Sequence, residues 1–306
     1  MFDGLLVFGR LVLYVGLMLA FGMPAFVWRF VGANTSPPVA RGALRVASAA
    51  TVVSLLASVT VLWAMAAAMV DSGGPGAVWS ALRTLLTQTT VGMTWDLRVL
   101  LLLVSSWLGM AAGFKERTRV IALSLLGAVA LVTLAWGGHG AMSDGPAGWL
   151  HLGADMAHLL VAGAWVGALA TLTLIAKAAS RHAGQDAVAL LSNAATGFAS
   201  MGTLIVAVLI ISGAINYIFI LGPTLTGFTG GLYGRLLLVK LGLFAIMLSL
   251  AAANRFRLAP ALERARRDED TVGAVSALKR SVYLETALVV SILALVAWLG
   301  TLDPEG

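Results

Sequence analysis

The sequence predicts an all-α protein, a polytopic bundle of about eight transmembrane helices. Apolar residues make up 59% of its 306 residues, only 11% are charged, and the mean hydropathy is +0.94. This composition is far from that of a soluble globular domain. A hydrocarbon core about 30 Å thick is crossed by about 20 apolar residues in helical conformation, and runs of that length recur along the whole chain.

Eight apolar runs predict the spans, and polar or Pro/Gly-containing connectors separate them. The runs lie near residues 5–29, 44–70, 96–114, 119–138, 149–176, 194–221, 232–253 and 276–299. Almost nothing is left over, so 1–306 is expected to form a single integral membrane domain. Residues 78–92 are too polar for a span and predict a short interfacial helix. No basic n-region precedes the first run and no cleavage site follows it, so we expect that span to be retained.

The basic residues predict the orientation, because fifteen of the twenty lie in alternate loops. They are Arg29, Arg41, Arg45, Lys115, Arg117, Arg119, Lys177, Arg181, Arg255, Arg257, Arg264, Arg266, Arg267, Lys279 and Arg280. The positive-inside rule makes these loops cytoplasmic and both termini periplasmic. The pI near 10.2 therefore reflects loops that face anionic lipid, and it does not indicate nucleic-acid binding. The chain has no cysteine, which excludes thiolate metal sites and disulfides.

Polar residues in and beside the fifth span are the strongest functional signal. His139 precedes the span, and His151, Asp155 and His158 lie within it. At helical spacing the last three share one face, with about 10 Å of rise between the two histidines. Ionisable groups are costly in hydrocarbon, so they indicate a functional site. We expect imidazole ligands for a metal, with Asp155 orienting a ring. Hydrogen bonds that only fix helix packing are the alternative.

Methionines add soft donor atoms on the same side of the membrane. Met142, three residues after His139, and Met156 are the candidate thioether ligands. Met65 and Met69 are one helical turn apart and, with Asn216, could line a path. Thioether and imidazole without thiolate form a ligand set that suits Cu(I). Each methionine could equally fill a gap in the core.

Lys240 lies deep within the seventh predicted span, and Glu285 lies deep within the eighth. Both are expected well inside the hydrocarbon region, where an unpaired charge is costly. We predict a structural Lys240–Glu285 ion pair, with a proton relay as the alternative.

Seven segments carry a family resemblance, in the order TLLTQTTVGMTWDLR, WGGHG, HLGADMAHLLVAGAWVGAL, SGAINY, YGRLLLVKLGL, AAANRFRLAP and LKRSVYLETAL. Over residues 80–300 the chain resembles the CopD family of bacterial copper-resistance membrane proteins. The resemblance implies a multi-pass protein of the inner membrane that handles copper, often with a periplasmic copper-binding protein of the CopC type, and moves it inward. By position, the family's histidine-bearing segments fall on His139, His151 and His158.

This chain differs from some members of that family, because it has no room for a fused copper-binding domain. A separate protein would be needed to donate copper to it. The chain carries no nucleotide-binding motif, so transport would be passive or coupled to an ion gradient or to sequestration. Copper could be accepted as Cu(I) or Cu(II). No catalytic residues are identified, and the protein is not expected to be an enzyme. Two alternatives stay open: a haem-binding oxidoreductase or electron carrier that uses the same histidines, and a chaperone receptor without transport.

Overall fold

The computed structural model describes residues 2–32, 36–70, 74–111, 113–138, 145–182, 185–228, 231–268 and 270–303, and these form helices and no strand. The α-helices are α1 Phe2–Phe26, α2 Pro37–Ala68, α3 Pro75–Gln88, α4 Thr90–Met110, α5 Glu116–Val132, α6 Gly145–His182, α7 Gln185–Leu221, α8 Gly231–Ala253, α9 Ala259–Arg267 and α10 Val272–Leu299. Among the described residues, eight helical segments are long and apolar enough to cross a membrane. The predicted all-α class and the eight spans are confirmed.

Helix α1 forms the centre of the bundle. It packs against α2, α5, α6 and α10, while α4 packs on α2 and α5, α7 packs on α6, and α8 packs on α10. Its length follows from an uninterrupted apolar run, which continues past Pro24 into a π-helical turn over Val27–Val31. The even number of spans places both chain termini on one side, here called the terminal side. The opposite side, which carries α9 and its arginines, is called the basic side.

Small residues allow the central helices to approach closely. Gly22 of α1 meets the backbone of Gly163 and Gly167 on α6, where any added side chain would collide. Gly127 of α5 packs in the same way on the backbone at Phe21. Because lipid tails are as apolar as leucine, helices in membranes associate through close packing of this kind. The glycines thus fix α6, which carries the candidate site, against the centre of the bundle.

The predicted interfacial helix is α3, which begins at Pro75 and ends at Gln88. Leu85 is its buried residue and packs with Leu62 and Ala66 of α2. Thr89 then caps α4, because its hydroxyl accepts a hydrogen bond from the Gly92 amide at 3.1 Å.

Helices α6 and α7 are longer than the predicted spans, with 38 and 37 residues. At 1.5 Å per residue each is about 55 Å long, well beyond the hydrocarbon thickness. The seventh span also continues past Ala253, through a π-helical turn over Asn254–Leu258, into α9. The extensions are polar, so the apolar run gave the membrane crossing correctly but not the helix ends.

Candidate metal site

Three polar residues of α6 lie in the half of the helix nearer the terminal side: His151, Asp155 and His158. All three face one neighbour, α7. Each has a partner there: His158 meets Ser212, Asp155 meets Asn216, and His151 meets Phe219. Steps of four and three residues along α6 match steps of three and four along α7 in the opposite direction, as expected for antiparallel helices in contact. We call these six residues the polar ladder. The prediction that His151, Asp155 and His158 share a face agrees with this geometry.

The hydrogen bonds of His158 define its tautomer. Its Nδ1 lies 2.9 Å from the Ser212 hydroxyl oxygen, and that hydroxyl donates its single proton to the Val208 carbonyl at 2.6 Å. Ser212 must therefore accept, and the proton of a neutral His158 is assigned to Nδ1. The lone pair on Nε2 is then the one available to a metal.

Asp155 lies between the two histidines and contacts residues from other helices. Its carboxylate accepts a hydrogen bond from the Asn216 amide at 3.2 Å. The ammonium group of half-buried Lys240, on α8, is close enough for its charge to act on both Asp155 and His158. In the structure, Ser212 rather than Asp155 holds Nδ1 of His158. Ser212 of α7 thus orients the His158 ring, which is the role that the sequence predicted for Asp155.

His151 is the most buried member of the polar ladder, with 2% of its surface exposed. Its ring stacks on Phe219 with 4.7 Å between ring centroids and 9° between ring planes. The rise between His151 and His158 is about 10.5 Å, whereas metal–nitrogen bonds are about 2 Å long. The two rings also contact α7 at different levels, His158 at Ser212 and His151 at Phe219. The two histidines are separate positions along one seam.

A second polar group borders the ladder on the α1 side. Tyr14 of α1 lies within electrostatic range of Asp155, Arg10 and Arg98. Arg98 of α4 is buried and donates to the Thr133 hydroxyl at 2.7 Å and to the Thr133 carbonyl at 3.2 Å. Tyr14 thus lies between Asp155 and two arginines. This arrangement was not predicted, because the sequence places Arg98 near a helix end where it could have remained in contact with water.

The structure brings only some of the predicted ligands together. His139 and Met142 lie outside the described residues. Met156 is five residues after His151, which at 100° per residue turns it about 140° away from the face of the polar ladder. The described part of the chain contains no group of three or more histidine, cysteine or acidic side chains placed to hold a metal ion.

The two methionines of the suggested path also lie apart from the ladder. Met65 packs with the cluster formed by Leu62, Ala66 and Leu85. Met69 follows the end of α2 and is 62% exposed. Asn216, the third residue of that path, is a member of the polar ladder.

The predicted Lys240–Glu285 ion pair is not formed. Glu285 instead accepts a hydrogen bond from the Asn254 amide. Asn254 follows Lys240 by fourteen residues, which is about 21 Å along the helix, so the two charges lie at different depths. Apolar runs gave an approximate depth for each residue, but not the tilt and rotation that decide which side chains meet.

Sequence reasoning also missed Ser212 and Phe219. The predicted spans 149–176 and 194–221 leave seventeen residues between them, whereas only two residues separate α6 from α7 in the structure, and so short a connection requires antiparallel neighbours. Counting outward from it sets His158 near Ser212 and His151 near Phe219. Gly213, beside Ser212, borders the same ring, since a β-carbon added there would lie in ordinary van der Waals contact with it, 3.7 Å from Cε1 of His158.

Comparisons with known proteins agree over the whole chain. Residues 1–149 match the family model described as "Copper resistance protein D-like, N-terminal domain", and residues 192–299 match "Copper resistance protein D". The chain is 38% identical to "Copper resistance protein D" of Pseudomonas syringae pv. tomato, over 99% of this chain and 98% of the relative. It is 30% identical to "Inner membrane protein YebZ" of Escherichia coli K12, over 96% and 97% respectively. No solved structure matches the chain.

Proposed function

Because this chain belongs to the copper resistance protein D family, we propose that it is a multi-pass inner-membrane protein that accepts copper from the periplasm and moves it inward along the polar ladder. The observation that carries the proposal is the hydrogen bond between His158 and Ser212. It fixes the ring and leaves Nε2 available as a ligand within a membrane-spanning helix. Imidazole nitrogen is a suitable ligand for copper.

The spacing of the two histidines favours movement over storage. Each ring offers one nitrogen donor, and about 10.5 Å of rise separates them. An ion held by few ligands leaves readily, as conduction between successive sites requires. His151 would receive copper first, since it is nearer the terminal side, and His158 would receive it next. His139, Met142 and Met156 are proposed as further donors at the entrance.

The charges beside the ladder would regulate how strongly the cation binds. Asp155 attracts a copper ion, and Lys240 repels it, since both act on the same short stretch of α6. This balance opposes permanent retention of the ion, which suits a cargo. Opposing charges of this kind have larger effects at low dielectric than in water.

A periplasmic copper-binding protein of the CopC type is proposed as the donor. Free copper ions are captured poorly by a site with one imidazole at each position. Direct transfer of copper from a ligand of the donor protein to His139 or His151 would avoid the capture of a free ion. The proposal requires that the loop before α6 faces the periplasm, as the distribution of arginines predicts.

A haem held between His151 and His158 finds no support in this packing. A haem clamp needs two histidines on opposite faces of one porphyrin. Here both rings project from one helix, and α7 contacts both of them through Ser212 and Phe219. A porphyrin between them would require α7 to separate from α6.

The first experiment is performed on wild-type protein purified in detergent. Metal content is measured by mass spectrometry and the absorption spectrum is recorded, before and after Cu(I) is added. We expect near-stoichiometric copper without a Soret band, followed by copper entry into proteoliposomes that contain a copper indicator. A Soret band without copper uptake would overturn the proposal in favour of a haem protein. Copper binding without flux would favour the chaperone receptor.

A further inference from the structure

Glu285 lies near the middle of α10 and is only 2% exposed. Its carboxyl group accepts a hydrogen bond from the amide of Asn254, in the π-helical turn that follows α8. Among the described residues it forms no ion pair. An ionised carboxylate is costly to bury in hydrocarbon without a cation, and a group in such surroundings is neutralised instead. The packing therefore indicates that Glu285 holds a proton.

Charged residues on the neighbouring elements do not supply the missing cation. Arg255 directs its guanidinium to the Ala199 carbonyl at 2.8 Å and to the Thr203 hydroxyl. Lys240 of α8 lies about 21 Å from Asn254 along the helix. Further charged residues of the helices packed on α10 lie toward the basic side, among them Arg29, Lys177, Glu263, Lys279 and Arg280. None of these charges acts appreciably on Glu285.

The hydrogen bonding of Asn254 also favours a protonated Glu285. Nδ2 of Asn254 donates to Oε1 of Glu285, while its Oδ1 is buried and has no partner among the described residues. An amide and a carboxylic acid can pair through two parallel hydrogen bonds, the second from the acid O–H to the amide oxygen. A proton on Glu285 can thus satisfy this oxygen, whereas an ionised carboxylate has no donor for it. Loss of the proton therefore weakens the contact between α10 and the turn after α8.

Helix α8 connects this acid–amide pair with the polar ladder. The charge of Lys240 acts on Asp155 and His158, and the same helix continues into the turn that carries Asn254. Helix α8 packs on α10 and on the short turns at its own ends, and its span is the least buried of the eight found among the described residues. Packed helices can slide past one another by small shear movements. A force on Lys240 can therefore shift α8 along α10.

A cavity of about 360 Å³ provides room for such a movement. It lies between α6, α7, α8 and α10 in the half of the bundle nearer the basic side, and its wall is mostly leucine, alanine, valine and phenylalanine. It borders the pair formed by Asn254 and Glu285. Thr203 and Phe256 also line it and are exposed, so the cavity opens at the surface beside Arg255.

We propose that copper at His158 and the proton on Glu285 are coupled through α8, so that binding of one copper ion releases this proton to the basic side. The charge of the copper ion repels Lys240, α8 shifts along α10, and the contact between Asn254 and Glu285 opens toward the cavity. The carboxylic O–H then gives its proton to water, and the carboxylate that remains offsets one unit of the charge brought by the metal. The coupling operates only when copper is bound.

The inference rests on the proposed copper site and names the proton as the ion coupled to it. Linkage between two sites is reciprocal, so acidification must weaken copper binding. The release of one proton for each copper ion lowers the apparent affinity at most about tenfold for each unit by which the pH falls.

The experiment measures the protons released when Cu(I) is added to the purified full chain in weakly buffered detergent solution with a pH indicator, after subtraction of a protein-free titration. We expect the wild type to release one proton for each copper ion bound. Glu285→Gln cannot release this proton and should bind copper without releasing one. Copper binding without proton release by the wild type, or equal release by Glu285→Gln, would overturn the inference and leave the proposed function standing. A wild type that binds no copper would overturn both.

Lys240→Met tests transmission through α8. Removal of the ammonium should leave copper at least as tightly bound and abolish the proton release, because the metal then exerts no force on α8. Glu263→Gln is the matched control, since Glu263 lies at the basic side and pairs with Arg266 at 2.9 Å. This control should release as many protons as the wild type. Unchanged release by Lys240→Met, or lost release by Glu263→Gln, would contradict the inference.

Infrared spectroscopy tests the proton on Glu285 without copper and without relying on the folding of Glu285→Gln. The wild type at neutral pH should show the C=O stretching band of a protonated carboxyl group, identified by its shift in D₂O. In Asn254→Ala this band should move to higher wavenumber, because the carbonyl loses its hydrogen bond. Glu263→Gln should leave it unchanged. If no carboxylic band responds to Asn254→Ala, Glu285 is ionised and the inference is wrong.

Discussion

Nδ1 of His158 lies 2.9 Å from the hydroxyl oxygen of Ser212, whose own proton is donated to the Val208 carbonyl. This relationship fixes both the orientation of the imidazole and the nitrogen that carries its proton. The seam between α6 and α7 is therefore more than a packing surface. Its chemistry can be altered one residue at a time.

Replacing Ser212 with alanine should weaken copper binding without unfolding the protein. The ring would lose the acceptor that holds Nδ1–H, and loss of such an outer contact typically lowers metal affinity 10- to 100-fold. Titration of Cu(I) against a competing chelator measures the effect. Ser200→Ala is the control, because Ser200 is exposed on the same helix and bonds only to the Gly197 carbonyl. Equal affinities for the two variants would argue that Ser212 has no part in the site.

Replacing His151 with phenylalanine separates its two possible roles. The variant keeps an aromatic ring to stack on Phe219 and removes both nitrogens. We expect the variant to remain folded and to lose bound copper, measured by thermal denaturation and metal analysis. His182→Phe, at the basic end of α6, should retain copper. If His151→Phe binds as much copper as the wild type, the residue serves packing alone.

Double-mutant cycles should distinguish the charge pairs. Lys240→Met and Glu285→Gln are expected to be additive in the free energy of unfolding within about 0.5 kcal/mol, because the two residues lie at different depths. Lys240→Met and Asp155→Asn should instead show a coupling of about 0.5–3 kcal/mol. Unfolding in mixed detergent gives the four free energies of each cycle. A larger coupling energy between Lys240 and Glu285 than between Lys240 and Asp155 would support the ion pair predicted from the sequence.

The glycine contact between α1 and α6 should tolerate no side chain. Gly167→Val would force the helices apart, at a cost of about 3 kcal/mol or more, and should lower the yield of folded protein. Fluorescence-detected size-exclusion chromatography measures that yield. Gly153→Ala is the control on the same helix, because an added β-carbon there meets nothing within 4 Å. Similar yields from the two variants would mean that the close approach does not support the bundle.

The orientation follows from the arginines and can be checked directly. A reporter active only in the periplasm should function when fused after residue 144 and should be inactive after residue 268. A reporter active only in the cytoplasm should give the opposite pattern. The reverse result would turn the polar ladder toward the cytoplasm and invert the proposed direction of copper movement.

The sequence predicted the spans well, because hydrophobic length is a property of each segment alone. The shared face of His151, Asp155 and His158 followed from helical periodicity for the same reason. The partners of these residues depend on how two helices rotate against each other, which no single segment contains. The span that contains Lys240 was predicted correctly. Its predicted partner, Glu285, instead accepts a hydrogen bond from Asn254.

Metal ligands were still harder to predict, because thioether and hydrocarbon side chains have similar hydropathy. Met65 satisfies the apolar pattern of α2 whether it binds a metal or fills space, and the structure shows it packed. Periodicity identifies a face, and only packing identifies what meets it.

The central position of α1 has a consequence for biosynthesis. This helix is synthesised before α10, yet it packs against α10, and Arg10 donates to the carbonyl of Gly300 beyond the end of α10. Until the segment that contains Gly300 has been synthesised, the Arg10 guanidinium lacks this acceptor. A nascent chain that stops short of α10 lacks both the acceptor of Arg10 and the helix against which this face of α1 packs, so this side of the bundle can close only after α10 has entered the membrane.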